Sequence, residues 1–131
     1  MDEATRQLVH RRANGRCEFC LLPESGYDEQ FSIDHIVPRK HGGGDSSDNL
    51  ALSCLRCNLH KGPNLTGIDP PTKAITSLYP PREQKWSDHF FSDGPLLKGR
   101  TPVGRTTIEV LRMNDPVRVR LREILIAEGL L

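Results

Sequence analysis

The stretch that decides the fold runs from Ile33 to Lys61 and reads IDHIVPRKHGGGDSSDNLALSCLRCNLHK. It opens on an acid–histidine pair, Asp34-His35, followed by Ile36-Val37-Pro38. Gly42-Gly43 come next, then Asn49-Leu50, and it closes on Cys54-Leu55-Arg56-Cys57-Asn58. Phe31 to Val37 is rich in β-branched and aromatic residues and reads as a strand that Pro38 ends. Leu50 to Ser53 reads as a short second strand, and Cys54 to about Lys61 as a helix stopped by Gly62-Pro63. Between the strands lies a loop, Arg39 to Asn49, whose glycines Gly42 to Gly44 permit positive φ and close backbone approach.

A second C-x-x-C, Cys17-Glu18-Phe19-Cys20, precedes this stretch with the spacing of Cys54 and Cys57. A C-x2-C turn lets both sulfurs reach one tetrahedral Zn²⁺ at ~2.3 Å. The competing readings are two disulfides or a redox C-x-x-C. Four cysteines, equal spacings and no secretory context favour a four-cysteine zinc site. No βαβ pattern surrounds either pair, which disfavours a thiol–disulfide oxidoreductase.

Taken in order, D-H-I-x-P, G-G, N-L and C-x-x-C-N resemble the HNH endonucleases, also called His-Me finger or ββα-metal nucleases. With Cys17 and Cys20 the resemblance covers about the first half of the chain. It implies a small α+β fold, a ββα-metal (His-Me) finger with flanking helices and a structural zinc on Cys17, Cys20, Cys54 and Cys57. Some members of the family lack these cysteines, so the zinc is structural and stands outside the chemistry. The core finger spans about residues 15–62. The resemblance further implies a metal-dependent endonuclease that hydrolyses phosphodiester bonds of DNA, leaving 5′-phosphate and 3′-hydroxyl ends. It assigns Asn49 to tying down the loop and helping to hold His35. The third family letter is usually His and here is Asn58, an HNN variant similar to the HNH domains of CRISPR effector nucleases.

Phosphodiester hydrolysis needs an activated water, a counter-charge for the developing phosphorane and help for the leaving oxygen. Neutral imidazole is abundant at pH 7, which suits His35 to take a proton from water as general base. Asp34 offers a hard anionic oxygen to one divalent cation and Asn58 a neutral carbonyl oxygen. An all-oxygen protein site suits Mg²⁺ or Mn²⁺ better than Ni²⁺ or Zn²⁺. Arg39, Lys40 and His41 stand beside the site, and Lys61 shares the helix face of Asn58 at i+3, so these four are candidate phosphate contacts. For each, a plain solvated charge is the alternative. His60 points elsewhere and reads as exposed or a phosphate contact. The rival function is a non-enzymatic zinc module that binds nucleic acid. An intact Asp34, His35 and Asn58 set argues for the enzyme.

A chain of 131 residues suits one domain, residues 1–131, with a wrapping segment and a helical basic tail over 63–131. At 36% hydrophobic residues the core is modest, so staples help. The net charge of +1 means that any nucleic-acid footprint must be local. No apolar run approaches the ~20 residues of a membrane span. The charged opening MDEATRQLVH has no signal-peptide h-region, which points to a cytoplasmic setting. DNA is the expected partner, RNA is not excluded, and the oligomeric state is left open.

Residues 2–14 read as a helix with Asp2 as N-cap, Gly15 as stop, an inner stripe of Leu8, Val9 and Ala13, and Arg6, Arg11, Arg12 and Arg16 outside. Residues 21–30 form an acidic loop expected away from any DNA-binding face. The proline-rich segment 63–81 reads as wrapping chain with a short turn of helix over Thr72 to Leu78. Trp86, His89, Phe90 and Phe91 read as a satellite core, and Leu96-Leu97 as the start of a short strand. Thr101-Pro102 and Asp115-Pro116 each look like an N-cap with Pro at N1, opening helices to about Met113 and Glu128. From Lys98 to Glu123 stand seven basic and three acidic residues, a local charge of +4. A DNA-binding tail and a solubilising face are both open readings of it.

Overall fold

A computed structural model describes residues 1–131. The architecture is small and mixed, five helices with three separate antiparallel strand pairs.

Helix α1, Glu3–Arg12, starts where the Asp2 side chain accepts from Thr5 N at 2.8 Å. Asn14 and Gly15, both at positive φ, turn the chain out of it. Its inner stripe is thinner than expected. Val9 is fully buried, but Leu8 is 39% exposed. Arg12 is not on the outside, since its Nη2 donates to Leu50 O at 2.7 Å. The guanidinium reaches a backbone carbonyl that an apolar side chain could not satisfy.

Strands β1, Ser32–His35, and β2, Leu50–Ser53, pair antiparallel, with Asp34 opposite Ala51 and His35 opposite Leu50. All four residues of β2 are buried. Helix α2, Leu55–Lys61, follows with Cys54 as its N-cap. Here a sulfur does the work of the usual capping oxygen, as Cys54 Sγ accepts from Cys57 N at 3.3 Å. Gly62 at φ 50° ends the helix. Strand, loop, strand and helix thus follow in the order expected.

The acidic stretch contains one short 3-10 turn, Glu24–Gly26, and packs on the last helix through Gly26, Leu121 and Leu125. It does not line the cleft described below.

The second half departs from expectation at Phe91, which is 37% exposed instead of joining the satellite core, and in one further segment. Residues 72–78 are not a turn of helix. Strands β3, Thr66–Ile68, and β4, Ile75–Ser77, form a hairpin with Ile68 opposite Ile75. Its connection is closed by Asp69, whose carboxylate accepts from Thr72 Oγ1 at 2.7 Å and whose carbonyl accepts from Lys73 N at 2.8 Å. Lys73 there adopts φ 64°. The β-branched pair Ile75-Thr76 then continues extended. Gly67 lets the hairpin lie directly on a later helix, because a Cβ there would sit 2.4 Å from Val110 Cγ2.

Helix α3, Trp86–His89, leads into β5, Phe90–Asp93, which pairs with β6, Leu96–Gly99. Trp86 stacks on Phe90 at 5.0 Å between centroids and donates from Nε1 to Phe19 O at 2.7 Å. The aromatic stretch is therefore fastened to the loop between Cys17 and Cys20. Helices α4, Pro102–Leu111, and α5, Pro116–Ala127, begin on the two expected caps. Thr101 Oγ1 accepts from Gly104 N at 3.1 Å and Asp115 Oδ1 from Arg118 N at 2.9 Å. No helix is long and apolar enough to cross a membrane.

Candidate active site and metal centre

Helix α2 serves two sites. Its N-cap and first turn carry Cys54 and Cys57. One turn later it carries Asn58 and Lys61.

The four cysteines are all free and fully or almost fully buried, and their sulfurs lie within 4.8 Å of one another. Cys20 Sγ and Cys54 Sγ stand 3.7 Å apart. A tetrahedron with ~2.3 Å zinc–sulfur bonds has edges of about 3.8 Å, so the spacing suits Zn²⁺. Each C-x-x-C turn is braced by an amide-to-sulfur bond, Cys20 N to Cys17 Sγ at 3.4 Å and Cys57 N to Cys54 Sγ at 3.3 Å. Burial foremost pushes the Cys17 and Cys57 thiols well above their ordinary range, whereas hydrogen bonds from Cys17 and Cys20 hold Cys54 below its own. A dication among the four sulfurs would favour their thiolate forms.

On the other site, Asp34, His35 and Asn58 line one open cleft of about 390 Å³ together with Pro38, Arg39 and Lys40. The Asp34 carboxylate is buried against Lys61. Lys61 Nζ lies 3.0 Å from Asp34 Oδ2 and donates to His35 O at 3.1 Å and Ile36 O at 3.2 Å. Asp34 Oδ2 is buried, and its partner is that ammonium, held as an ion pair without a hydrogen bond of good geometry. Burial raises the Asp34 carboxyl above its usual range, with Lys61 and then His35 opposing.

Asn49 spans the loop. Its Oδ1 accepts from Val37 N at 2.8 Å, and its Nδ2 donates to Val37 O at 3.0 Å and Gly44 O at 2.9 Å. Two of the three glycines divide the labour. Gly42 takes φ 88°, while Gly43 approaches so closely that a Cβ would lie 1.6 Å from Val37 O. The loop so closed carries Asp45, which sequence reading passed over. Asp45 Oδ1 faces His35 Nε2 at 2.7 Å and accepts from Arg39 Nη2 at 2.8 Å. Its place four residues before Asn49, after a glycine run, was the only signal that could have found it. The side-chain bond to His35, followed by the charge of Arg39, draws the Asp45 carboxyl below its usual range.

The four candidate phosphate contacts part company. Arg39 and Lys40 are exposed at the cleft. His41 is exposed too, but its Nε2 meets Pro63 O at 3.1 Å. Lys61 is 2% exposed, with its ammonium spent on Asp34 and two carbonyls. The basic tail divides as well. Arg118 and Arg122, counted towards a DNA-facing charge, are 0% and 2% exposed. Arg105 pairs with the buried Asp69 at 3.0 Å through both Nε and Nη2. These guanidiniums serve the interior because carbonyls, thiols and two carboxylates there need donors.

Comparison with known families matches residues 17–64 to HNH endonuclease. The Septu protein PtuB of Bacillus thuringiensis is 26% identical over 121 residues, covering 87% of this chain and 42% of that protein. The chain thus spans about two fifths of the length of the curated relative it matches. No solved structure matches. The match to HNH endonuclease thus runs from the first cysteine of the chain to just past the end of α2.

Proposed function

We propose that this protein is a metal-dependent endonuclease that hydrolyses phosphodiester bonds of DNA, with His35 as general base and one divalent cation, Mg²⁺ or Mn²⁺, held by Asp34 and Asn58. The observation that carries the reading is the convergence of Asp34, His35 and Asn58 on one open cleft flanked by Arg39 and Lys40. The hard oxygen donors of Asp34 and Asn58 on that one cleft are the further support for a cation there. When bound, such a cation supplies charge for the developing phosphorane and the leaving oxygen.

The remaining work belongs to side chains. A carboxylate facing His35 Nε2 selects the tautomer with its proton on Nε2, which leaves Nδ1 as the acceptor for a proton from water. Asp45 is then the positioning residue, and Arg39 holds Asp45. Asn49 keeps the loop closed so that Asp45 reaches His35. Lys61 keeps the buried Asp34 ionised and aimed. Arg39 and Lys40 are left to meet the backbone of the nucleic acid. A zinc on Cys17, Cys20, Cys54 and Cys57 is structural in this reading. Residues 1–131 act as one domain, supported by the bond from Trp86 to Phe19 O.

The test is cleavage of supercoiled plasmid with Mg²⁺, with and without EDTA, for the wild type, His35→Ala and Asn58→Ala. Nicking that needs Mg²⁺ and disappears in His35→Ala is the expected result. Asn58→Ala should recover part of its lost rate at high Mg²⁺. A wild type that binds DNA without cutting it would make the chain a zinc module that only binds nucleic acid.

A further inference from the structure

We propose that Arg118 of α5 is the charge partner of the cysteine-bound zinc, and that its bond to Cys57 governs how long the metal is retained. The inference rests on the zinc reading and goes beyond it, since Arg118 lies far outside residues 17–64.

Arg118 is 0% exposed, and each nitrogen of its guanidinium is engaged. Nη1 lies 2.9 Å from Cys57 Sγ and 3.8 Å from Cys54 Sγ. Nε donates to Asp115 Oδ2 at 2.7 Å, and Nη2 donates to Leu111 O at 2.5 Å and Arg112 O at 2.6 Å. Isolated buried charge is strongly unfavourable, so the question is what balances this cation. Asp115 is one partner. Close by, Arg122 is 2% exposed and meets Pro95 O, Met113 O and Asn114 Oδ1, with no carboxylate. Between them the two buried guanidiniums have one carboxylate, on Arg118, which leaves positive charge in excess. Zn²⁺ with four thiolates carries two net negative charges, the sign and place required.

The same bonds explain why a guanidinium stands here. One planar group caps the C-terminal carbonyls of α4, takes the N-cap acid of α5 and donates to a thiolate. A hydrogen bond to a thiolate drains charge from sulfur, which lowers its reactivity towards acid, oxidants and competing metals. Zinc and α5 hold each other in place.

The test uses the full chain loaded with Co²⁺ or Zn²⁺, as wild type, Arg118→Gln and Arg118→Lys, with far-UV circular dichroism to follow folding. Loss of an N–H···S bond raises the energy of the sulfur electrons, so the sulfur-to-cobalt charge-transfer band of Arg118→Gln should move to longer wavelength. Its zinc should be retained about 10–100-fold less well against a chelator. Arg118→Lys should fall between. A folded Arg118→Gln whose band and zinc retention match the wild type would overturn the proposal and reduce Arg118 to a helix cap. If neither variant folds, the wild type loaded with ¹¹³Cd decides: scalar coupling between guanidinium protons and cadmium supports the bond, and its absence refutes it. A wild type that takes up neither zinc nor cobalt would be a different failure, that of the zinc site itself.

Discussion

Two buried cations flank helix α2, and they teach opposite lessons. Lys61 sits at its C-terminal end under an open cleft, paired with one buried carboxylate. Arg118 presses on its N-terminal turn inside a sealed cluster, with every nitrogen taken. The first arrangement borders an open cleft that a ligand can enter. The second closes off an interior. On the proposed reading, chemistry and stability fall to opposite ends of a seven-residue helix.

If that division is right, damage at the two ends should look different. The largest effect belongs to the sealed end. Cys57→Ser should cost several kcal/mol, because structural zinc binding is folding free energy. Zinc content and thermal denaturation together check it, and a folded, metal-free variant with an unchanged melting point would break the comparison.

At the open end, His35→Ala should slow cleavage by roughly 10²–10⁴-fold while the melting temperature stays put. A large loss of stability in this variant would show that the cleft is part of the scaffold after all. Asp45→Ala should show a smaller decrease in kcat, about tenfold or more, with KM nearly unchanged and Asp45→Asn recovering much of it. The ¹⁵N shifts of the His35 ring should report the tautomer, and a mixture of tautomers in Asp45→Ala is expected.

Lys61 joins the two ends, since it is buried like Arg118 but serves the cleft. Lys61→Met strands the Asp34 carboxylate and should cost about 3 kcal/mol at neutral pH. The sign with pH follows from burial, which already raises the Asp34 carboxyl and which Lys61 opposes. Without Lys61 that carboxyl is raised further, so the folded state gains stability as Asp34 protonates. The deficit should be full at neutral pH and shrink as pH falls, read by denaturant titrations along a pH series. A deficit that grows in acid would contradict the burial argument. The smallest effect is expected at Asp69, whose carboxyl Arg105 and then Thr72 hold below its usual range. Stability from that pair is present above the unfolded carboxylate pKa of ~3.9 and is lost as pH falls through the lower folded value. Asp69→Asn should therefore flatten the acid limb of the stability curve.

Much of this was legible in one dimension, and the reason is locality. The β1–loop–β2–α2 order follows from short apolar runs, one proline, a glycine cluster and two C-x2-C turns, each acting within a few residues. The caps at Thr101 and Asp115 act over three residues and were equally readable. What sequence alone determined was the finger, the cysteine set and the Asp34, His35 and Asn58 candidates. The tertiary structure decided where the charges go. An arginine looks the same in sequence whether water or a thiolate will receive it, and Cys57 stands 61 residues from Arg118. The hairpin of β3 and β4 is non-local in the same way, fixed by pairing Ile68 with Ile75 and by the fit of Gly67 on Val110. Asp45 became visible only when Asn49 closed the loop and brought its carboxylate 2.7 Å from His35. Local propensity writes the elements, but the desolvation of a charge depends on everything packed around it, and that exists only in the folded chain.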